Sequence, residues 1–172
     1  LLRQLSVFQG GFTSDAAEAV AGATLPDLAD LTDTSWLPPP VAGRYTLHEL
    51  VRQYCAGKLR NEHPVESGES ADQVRTRHAV YFERLAGRRL GQGLSFRGAV
   101  AEVRPEMGNL VAAWDWAITR AEFGIAWGLG ACLGTFGDRL GRNPEIAHIL
   151  EMGIRKLRAA GMAGSDGEHR RV

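Results

Sequence analysis

The chain has 172 residues, of which 44% are hydrophobic and 23% are charged, and its 20 Lys and Arg balance 20 Asp and Glu. This composition is typical of a globular protein with an apolar core, and zero net charge provides no overall attraction to nucleic acid or to an anionic membrane. The sequence contains neither an apolar run of the ~18 residues that a membrane span needs nor the basic and apolar segments of a signal peptide.

Three short helices are predicted in the first 37 residues. The segment "LLRQLSVF" ends at Gly10 and Gly11, and "FTSDAAEAVAG" is capped by Thr13 or Ser14 and closed by Gly22. The third helix, "LPDLADLTDTSWL", has a proline in its first turn. The chain starts without Met in the middle of an amphipathic pattern, so we expect it to be part of a longer polypeptide.

A small hairpin is predicted between Leu37 and Leu47, where three prolines, Ala-Gly and the extended "RYTL" follow one another. The next segment, "RYTLHELVRQYCAGKL", has one apolar stripe at helical spacing. The residues of this stripe are Leu47, Leu50, Val51, Tyr54, Cys55 and Leu59. Three helices, a hairpin and a helix have the layout of a winged helix, which we assign to residues 1–62.

The rest of the chain, residues 63–172, is predicted to be helical after the polar connector "NEHPVESGESADQ". One helix carries the stripe Val74, His78, Tyr81, Phe82 and Leu85, and another carries Leu110, Ala113, Trp114, Ala117 and Ile118. We expect an irregular joint at "GRRLGQGLSFRG" and a frayed end at "GMAGSDGEHRRV". The predicted fold class is therefore mainly α: a winged helix with a small β-hairpin, then antiparallel helical hairpins that resemble the start of a tetratricopeptide (TPR) array.

Several segments resemble, in chain order, the region that follows the nucleotide-binding domain in bacterial STAND-type signal-transduction NTPases. They are "LLRQLSVFQGGFTSDAAEAVAG", "LADLTDTSWL", "GRYTLHELVRQYCAGKL", "RTRHAVYFERLA" and "AEVRPEMGNLVAAWDWA". Members of this family include regulators with an NB-ARC-like ATPase core and a tetratricopeptide arm. The resemblance implies a regulatory role in signal transduction or transcription, with ATP or ADP and Mg²⁺ bound by a domain outside this chain.

The resemblance also implies a role for His48 and Glu49. In the family, the histidine of a Met-His-Asp motif at the start of the last helix of the winged helix approaches the ADP phosphates, and Leu47, His48 and Glu49 occupy these positions here. A helix start favours anions, and a histidine N–H can donate to one. The alternative is that His48 is an ordinary first-turn residue with a local contact.

The sequence contains no Gly-x-x-x-x-Gly-Lys-Ser/Thr loop, no Gly-x-Ser-x-Gly elbow and no His-Glu-x-x-His pair. We therefore expect no catalysis and no cofactor in this chain. The two cysteines, Cys55 and Cys132, lie among apolar neighbours without metal-ligand spacing, and they indicate buried thiols in a reducing cytoplasm.

The alternative function is that of a DNA-binding winged-helix transcription-factor module, in which the third helix reads the major groove. That helix carries Asp27, Asp30 and Asp33 and no Lys or Arg, and residues 1–62 have five basic against seven acidic side chains. This charge argues against direct DNA binding. The expected partners are instead an intramolecular nucleotide-binding domain and a protein or small-molecule inducer on the helical arm, for which Trp116, off the stripe of Trp114, is the candidate contact.

Overall fold

The computed structural model describes residues 1–61, 70–91, 96–141 and 143–168 of the chain. In these residues the protein is mainly helical and has a small two-stranded antiparallel sheet, which confirms the predicted fold class at this level. The predicted domain boundary at residues 62 and 63 lies outside the described residues.

The chain starts with a helix shorter than its sequence pattern predicts. Helix α1 is Leu2–Leu5, and the chain turns away at Gly10 and Gly11, whose φ angles are +84° and +95°. A Cβ atom on Gly11 would lie 2.7 Å from the carbonyl oxygen of Tyr45, so glycine is required there by both conformation and space. The two-residue strand β1, Phe12–Thr13, follows, and it was not predicted.

Helices α2 (Ser14–Ala21) and α3 (Leu25–Asp33) lie where the capping signals predict them. The Thr13 hydroxyl accepts a hydrogen bond from the third N–H of α2 at 3.2 Å, and Gly22 ends this helix with φ +65°. Thr24 forms a capping box at the start of α3. The sequence therefore predicts these two helix boundaries from local interactions alone.

A tight turn lies where the hairpin was predicted. Val41 and Arg44 exchange two backbone hydrogen bonds of 3.0 Å, and the residues between them, Ala42 and Gly43, have φ angles of +49° and +74°. Positive φ at both central positions is typical of a two-residue hairpin turn. Strand β2, Arg44–Tyr45, then pairs with β1 rather than with a proline-rich strand.

Helix α4, Glu49–Asn61, buries only part of its apolar stripe. Cys55 and Leu59 are buried, but Leu50 is 70% exposed and Tyr54 is 67% exposed, so only part of the predicted apolar stripe is covered. The reason is that α4 packs mainly on the four-residue helix α1, which can cover one narrow face of it.

The remaining described elements are helical and pack on one another. They are α5 (Ala71–Gly91), α6 (Phe96–Val103), a 3₁₀ turn (Arg104–Glu106), α7 (Met107–Thr119), α8 (Phe123–Leu140) and α9 (Asn143–Glu168). Two helices extend into segments that were predicted to be irregular: α5 reaches Gly91, over the first five residues of the expected joint, and α9 reaches Glu168 in the segment expected to be frayed. Residues 92–95 of the first segment and residues 169–172 of the second lie outside the described residues.

Buried side chains from both sides of the predicted boundary form one continuous core. Phe8 and Phe12 stack with ring centroids 4.7 Å apart, and Phe8 meets the edge of Phe82 from α5 at 6.1 Å. Helix α2 packs on α5, and α5 packs on α7 and α8. The predicted α7 stripe is entirely buried, from Leu110 to Ile118. The N-terminal unit is thus fixed to the helical region by apolar packing.

Candidate functional site

His48 precedes α4 and caps its N-terminus. The ring Nδ1 accepts a hydrogen bond from the N–H of Leu50 at 3.3 Å, and the His48 carbonyl accepts from Arg52 at 2.9 Å. The side chain is exposed. Because Nδ1 acts as an acceptor, the proton of the neutral ring is on Nε2, where it can be donated to another group. His48 therefore makes a local first-turn contact through Nδ1, and its Nε2 remains as a donor.

Glu49 is engaged by its own helix. Its carboxylate accepts hydrogen bonds from Arg52 Nε at 2.8 Å, from Arg52 Nη2 at 2.7 Å and from Gln53 at 2.8 Å. These donors, Arg52 above all, lower the pKa of Glu49 to about 2. The carboxylate is therefore ionised and largely neutralised by Arg52.

The same Arg52 connects the start of α4 to a cleft of about 570 Å³ between α1, α4, α5 and α7. Trp116 and Arg52 both line this cleft, whereas His48 does not. The structure thus brings Glu49, through its arginine partner, close to the cleft that contains the predicted partner residue Trp116.

Trp116 is half-buried and packs against the core, but its indole N–H lacks a partner. The Nε1 atom is buried and makes no hydrogen bond within the described part of the chain. This differs from Trp114, whose indole donates to the Ala126 carbonyl at 3.1 Å. Two other aromatic side chains of this region are largely exposed, Trp127 at 83% and Phe123 at 64%.

Positive charge is concentrated in the cleft. Besides Arg52, the guanidinium groups of Arg60 and Arg75 line it. Burial lowers the pKa of Arg75, and the positive charge of Arg60 lowers it further. Asp115 also lines the cleft, but its carboxylate is paired with Lys156 at 2.7 Å. The cleft therefore has a net positive character within a neutral chain.

A second polar cluster joins the N-terminal unit to the helical region, and sequence reasoning did not find it. Arg44 in β2 forms a bidentate ion pair with Glu106, just before α7, and its Nη2 also lies 3.4 Å from the Pro105 carbonyl oxygen. The Glu106 side chain is 9% exposed and that of Arg44 is 21% exposed. This pair therefore holds the hairpin turn against the helical region.

Asn109 is the centre of this cluster, and its side chain is fully buried. Its Nδ2 donates to the Gly11 carbonyl and to Glu106, both at 2.9 Å, and its Oδ1 accepts from the Gln9 N–H at 2.6 Å. The ring of His78 lies 3.4 Å from the same Oδ1. The sequence contains one indication of this buried role: Asn109 is a polar residue four positions before Ala113, on the apolar face of its helix.

His78, a member of the predicted stripe Val74, His78, Tyr81, Phe82 and Leu85, packs in the core. It is 3% exposed, and its ring centroid lies 4.7 Å from that of Phe82 and 5.4 Å from that of Phe8. Burial lowers the pKa of His78 to about 4, against a smaller opposing effect of Asn109. The ring is therefore neutral near pH 7.

The surface that would read DNA is acidic. Asp30 and Asp33 on α3 are exposed, and Asp27 is half-buried at the helix start. No Lys or Arg occurs in α3 to offset these charges. A phosphate backbone would be repelled by this helix.

Other chemistry has little support in the described residues. There, no three His, Cys, Asp or Glu side chains lie close enough together to hold a metal ion. Cys55 and Cys132 are both buried, and burial raises the pKa of each thiol, that of Cys132 to about 11. None of the helices in that part of the chain is both long and apolar enough to cross a bilayer.

Comparisons of the chain with protein-family models, with curated protein sequences and with solved structures found no match.

Proposed function

We propose that this chain is a non-catalytic regulatory segment of a STAND-type signalling ATPase or transcriptional regulator. Its winged helix couples the nucleotide state of an adjoining nucleotide-binding domain to a tetratricopeptide-like arm that recognises a protein or small-molecule inducer. ATP or ADP and Mg²⁺ are bound by the adjoining domain, and the assembly acts in the cytoplasm. The order of elements from α1 to α4, with the tight turn before β2, supports the winged-helix part of this proposal.

The geometry of His48 is the observation that carries the proposal. The histidine lies at the start of α4, a 13-residue helix, where backbone N–H groups favour negative charge. Its cap bond with Leu50 fixes Nδ1 as the acceptor, so Nε2–H is available to a phosphate oxygen. Glu49, already paired with Arg52, does not place a free carboxylate beside that donor.

The uncovered face of α4 supports an intramolecular partner at the same place. Leu50 and Tyr54 are four residues apart, share one face of the helix and are 70% and 67% exposed. Large apolar side chains in such an arrangement indicate a surface that another domain covers. A nucleotide-binding domain docked there would come within reach of His48.

The test uses a protein that contains this chain together with its nucleotide-binding domain, and it measures the rate of ADP release. We expect His48→Leu to release ADP faster than the unmodified protein and to raise basal activity. Because this change also removes the α4 cap, His48→Asn is the informative second variant: asparagine keeps an N-cap acceptor but lacks the imidazole. If His48 senses nucleotide, both variants release ADP faster.

The matched control is His148→Leu, since His148 is an exposed histidine on α9. It should leave ADP release unchanged. A His48→Asn protein that releases ADP at the unmodified rate would reduce His48 to a helix cap and contradict the nucleotide-sensing role. ATP hydrolysis by the isolated 172-residue chain, at a rate above background, would contradict the non-catalytic assignment.

A further inference from the structure

The cleft between α1, α4, α5 and α7 holds two arginines whose charges are poorly compensated. Arg60 has no ion-pair partner among the residues that the structure describes. Arg75 has Asp72 at 4.0 Å, but this carboxylate also pairs with Arg120. Partial burial and the neighbouring Arg60 both disfavour the charged form of Arg75. Two guanidinium groups arranged in this way repel each other until an anion lies between them.

A third donor belongs to Trp116, whose side chain lines the same cleft. The buried Nε1–H of Trp116 has no acceptor in the described part of the chain, and a buried unpaired donor is costly to the fold. By contrast, the Trp114 indole donates to the Ala126 carbonyl, and the Arg52 guanidinium donates to the Glu49 carboxylate. An acceptor from outside the protein would satisfy the indole and compensate the charges of Arg60 and Arg75 together.

The size and walls of the cleft suit a small molecule. Its volume of about 570 Å³ is within the range of small-ligand sites. Beside the three donors it is lined by the apolar side chains Val7, Ala56, Leu59 and Ala112. Polar residues also line it, namely Ser6, Gln9, Arg52, His78, Asp115 and Thr119. The expected ligand thus has an anionic oxygen-bearing group and a compact apolar body.

We propose that this cleft binds a small organic molecule through a phosphate or carboxylate group that contacts Arg60, Arg75 and the indole N–H of Trp116. Arginine is suited to both groups, because its planar donors match the two oxygens of a carboxylate or phosphate. The site requires neither His48 nor an adjoining domain, so this proposal can be tested independently of nucleotide sensing. It would give the helical region a ligand that strengthens its packing against α4.

The test uses the 172-residue chain with four probes: inorganic phosphate, phenyl phosphate, acetate and benzoate. Each is added at pH 7.5 against sodium chloride of equal ionic strength, so that general screening is matched. We expect a saturable rise in Tm and quenching of tryptophan fluorescence, with the phenyl compounds binding more tightly than their headgroups. If phenyl phosphate binds more tightly than benzoate, the natural headgroup is a phosphate; the reverse order indicates a carboxylate.

Three variants connect the binding to the cleft. Arg60→Gln and Arg75→Gln each remove one charged donor, and each should weaken binding of the better phenyl compound by about tenfold or more. Trp116→Phe keeps an aromatic ring but removes the N–H, and it should weaken binding by at least about threefold. Arg155→Gln, at an exposed arginine on α9, is the control and should leave the dissociation constant unchanged.

Protein without ligand provides a second readout. Because the repulsion around Arg75 is relieved when its charge is removed, Arg75→Gln should have a Tm equal to or above that of the unmodified chain. The proposal is overturned if none of the probes raises Tm more than chloride does. It is equally overturned if Arg60→Gln and Arg75→Gln, folded by circular dichroism, bind as the Arg155→Gln control does.

Discussion

Arg44 and Glu106 lie 62 residues apart in the chain and meet as a bidentate ion pair. The arginine belongs to the strand that follows the tight turn, and the glutamate precedes α7. Both side chains are largely removed from water, so each depends on the other for compensation of its charge. The pair therefore connects the two regions that the sequence presents as separate domains.

Replacing Arg44 with methionine should destabilise the protein by about 2–4 kcal/mol. The substitution keeps most of the apolar stem but leaves the Glu106 carboxylate buried without its cation. The free energy of unfolding from urea titration measures this effect. The control is Lys156→Met, which breaks an exposed pair with Asp115 whose side chains are 51% and 60% exposed, and should cost less than about 1 kcal/mol. Equal losses in the two variants would contradict a stabilising junction.

Asn109→Leu should also cost about 2–4 kcal/mol, although leucine has a similar size. The change leaves the Gln9 N–H and the Gly11 carbonyl without their partner at the junction. Besides the urea titration, hydrogen exchange at the Gln9 amide should become faster. Gln53→Leu, which removes an exposed bond to Glu49, is the control and should stay within about 0.5 kcal/mol. Unchanged exchange at Gln9 would show that Asn109 does not hold this segment.

The protein should become less stable as the pH is lowered, because His78 is buried in its neutral form. The pKa of this histidine is lowered by burial from 6.5 to about 4 in the folded protein, so the unfolded chain takes up a proton first as pH decreases. The contribution of neutral His78 to the free energy of unfolding is complete above pH 6.5 and is lost progressively between pH 6.5 and 4. About 2 kcal/mol should be lost between pH 7.5 and 5 from this group alone.

The measurement is the free energy of unfolding of the unmodified chain and of His78→Phe at these two pH values. Phenylalanine has no ionisable group and fits a site already surrounded by Phe8 and Phe82. The difference between the two proteins should therefore shift by about 2 kcal/mol in favour of His78→Phe at pH 5. A constant difference would mean that His78 is not responsible for the pH dependence.

Local signals predicted the parts of the fold that depend on neighbours in the sequence. The caps of α2 and α3, the tight turn at Ala42 and Gly43 and the buried face of α7 all follow from residues within one or two turns. The contact of His48 with the N–H of Leu50 is also local, and a local first-turn contact was one of the two alternatives for this histidine.

Contacts between distant residues could not be predicted in this way. Strand β1 has two residues and exists because Tyr45 pairs with Phe12, 33 positions away. Asn109 finds its partners 98 and 100 residues away, and the cleft requires α4 and α5 to bring Arg60 and Arg75 together. Periodicity also shows which residues share a face but not whether anything covers it, which is why the exposure of Leu50 was unexpected.

The close approach of α9 to Trp114 gives the sharpest prediction for the helical region. Gly153 is buried, and a Cβ atom at this position would overlap the Trp114 ring, which is itself 4% exposed and fixed by its bond to Ala126. Gly153→Ala should therefore destabilise the protein by about 2 kcal/mol or more, although alanine favours helices. Gly57→Ala in α4, where a Cβ meets no atom within 4 Å, should instead stabilise it by about 0.5–1 kcal/mol. Thermal unfolding of both variants tests this contrast, and a stabilised Gly153→Ala protein would place α9 farther from Trp114.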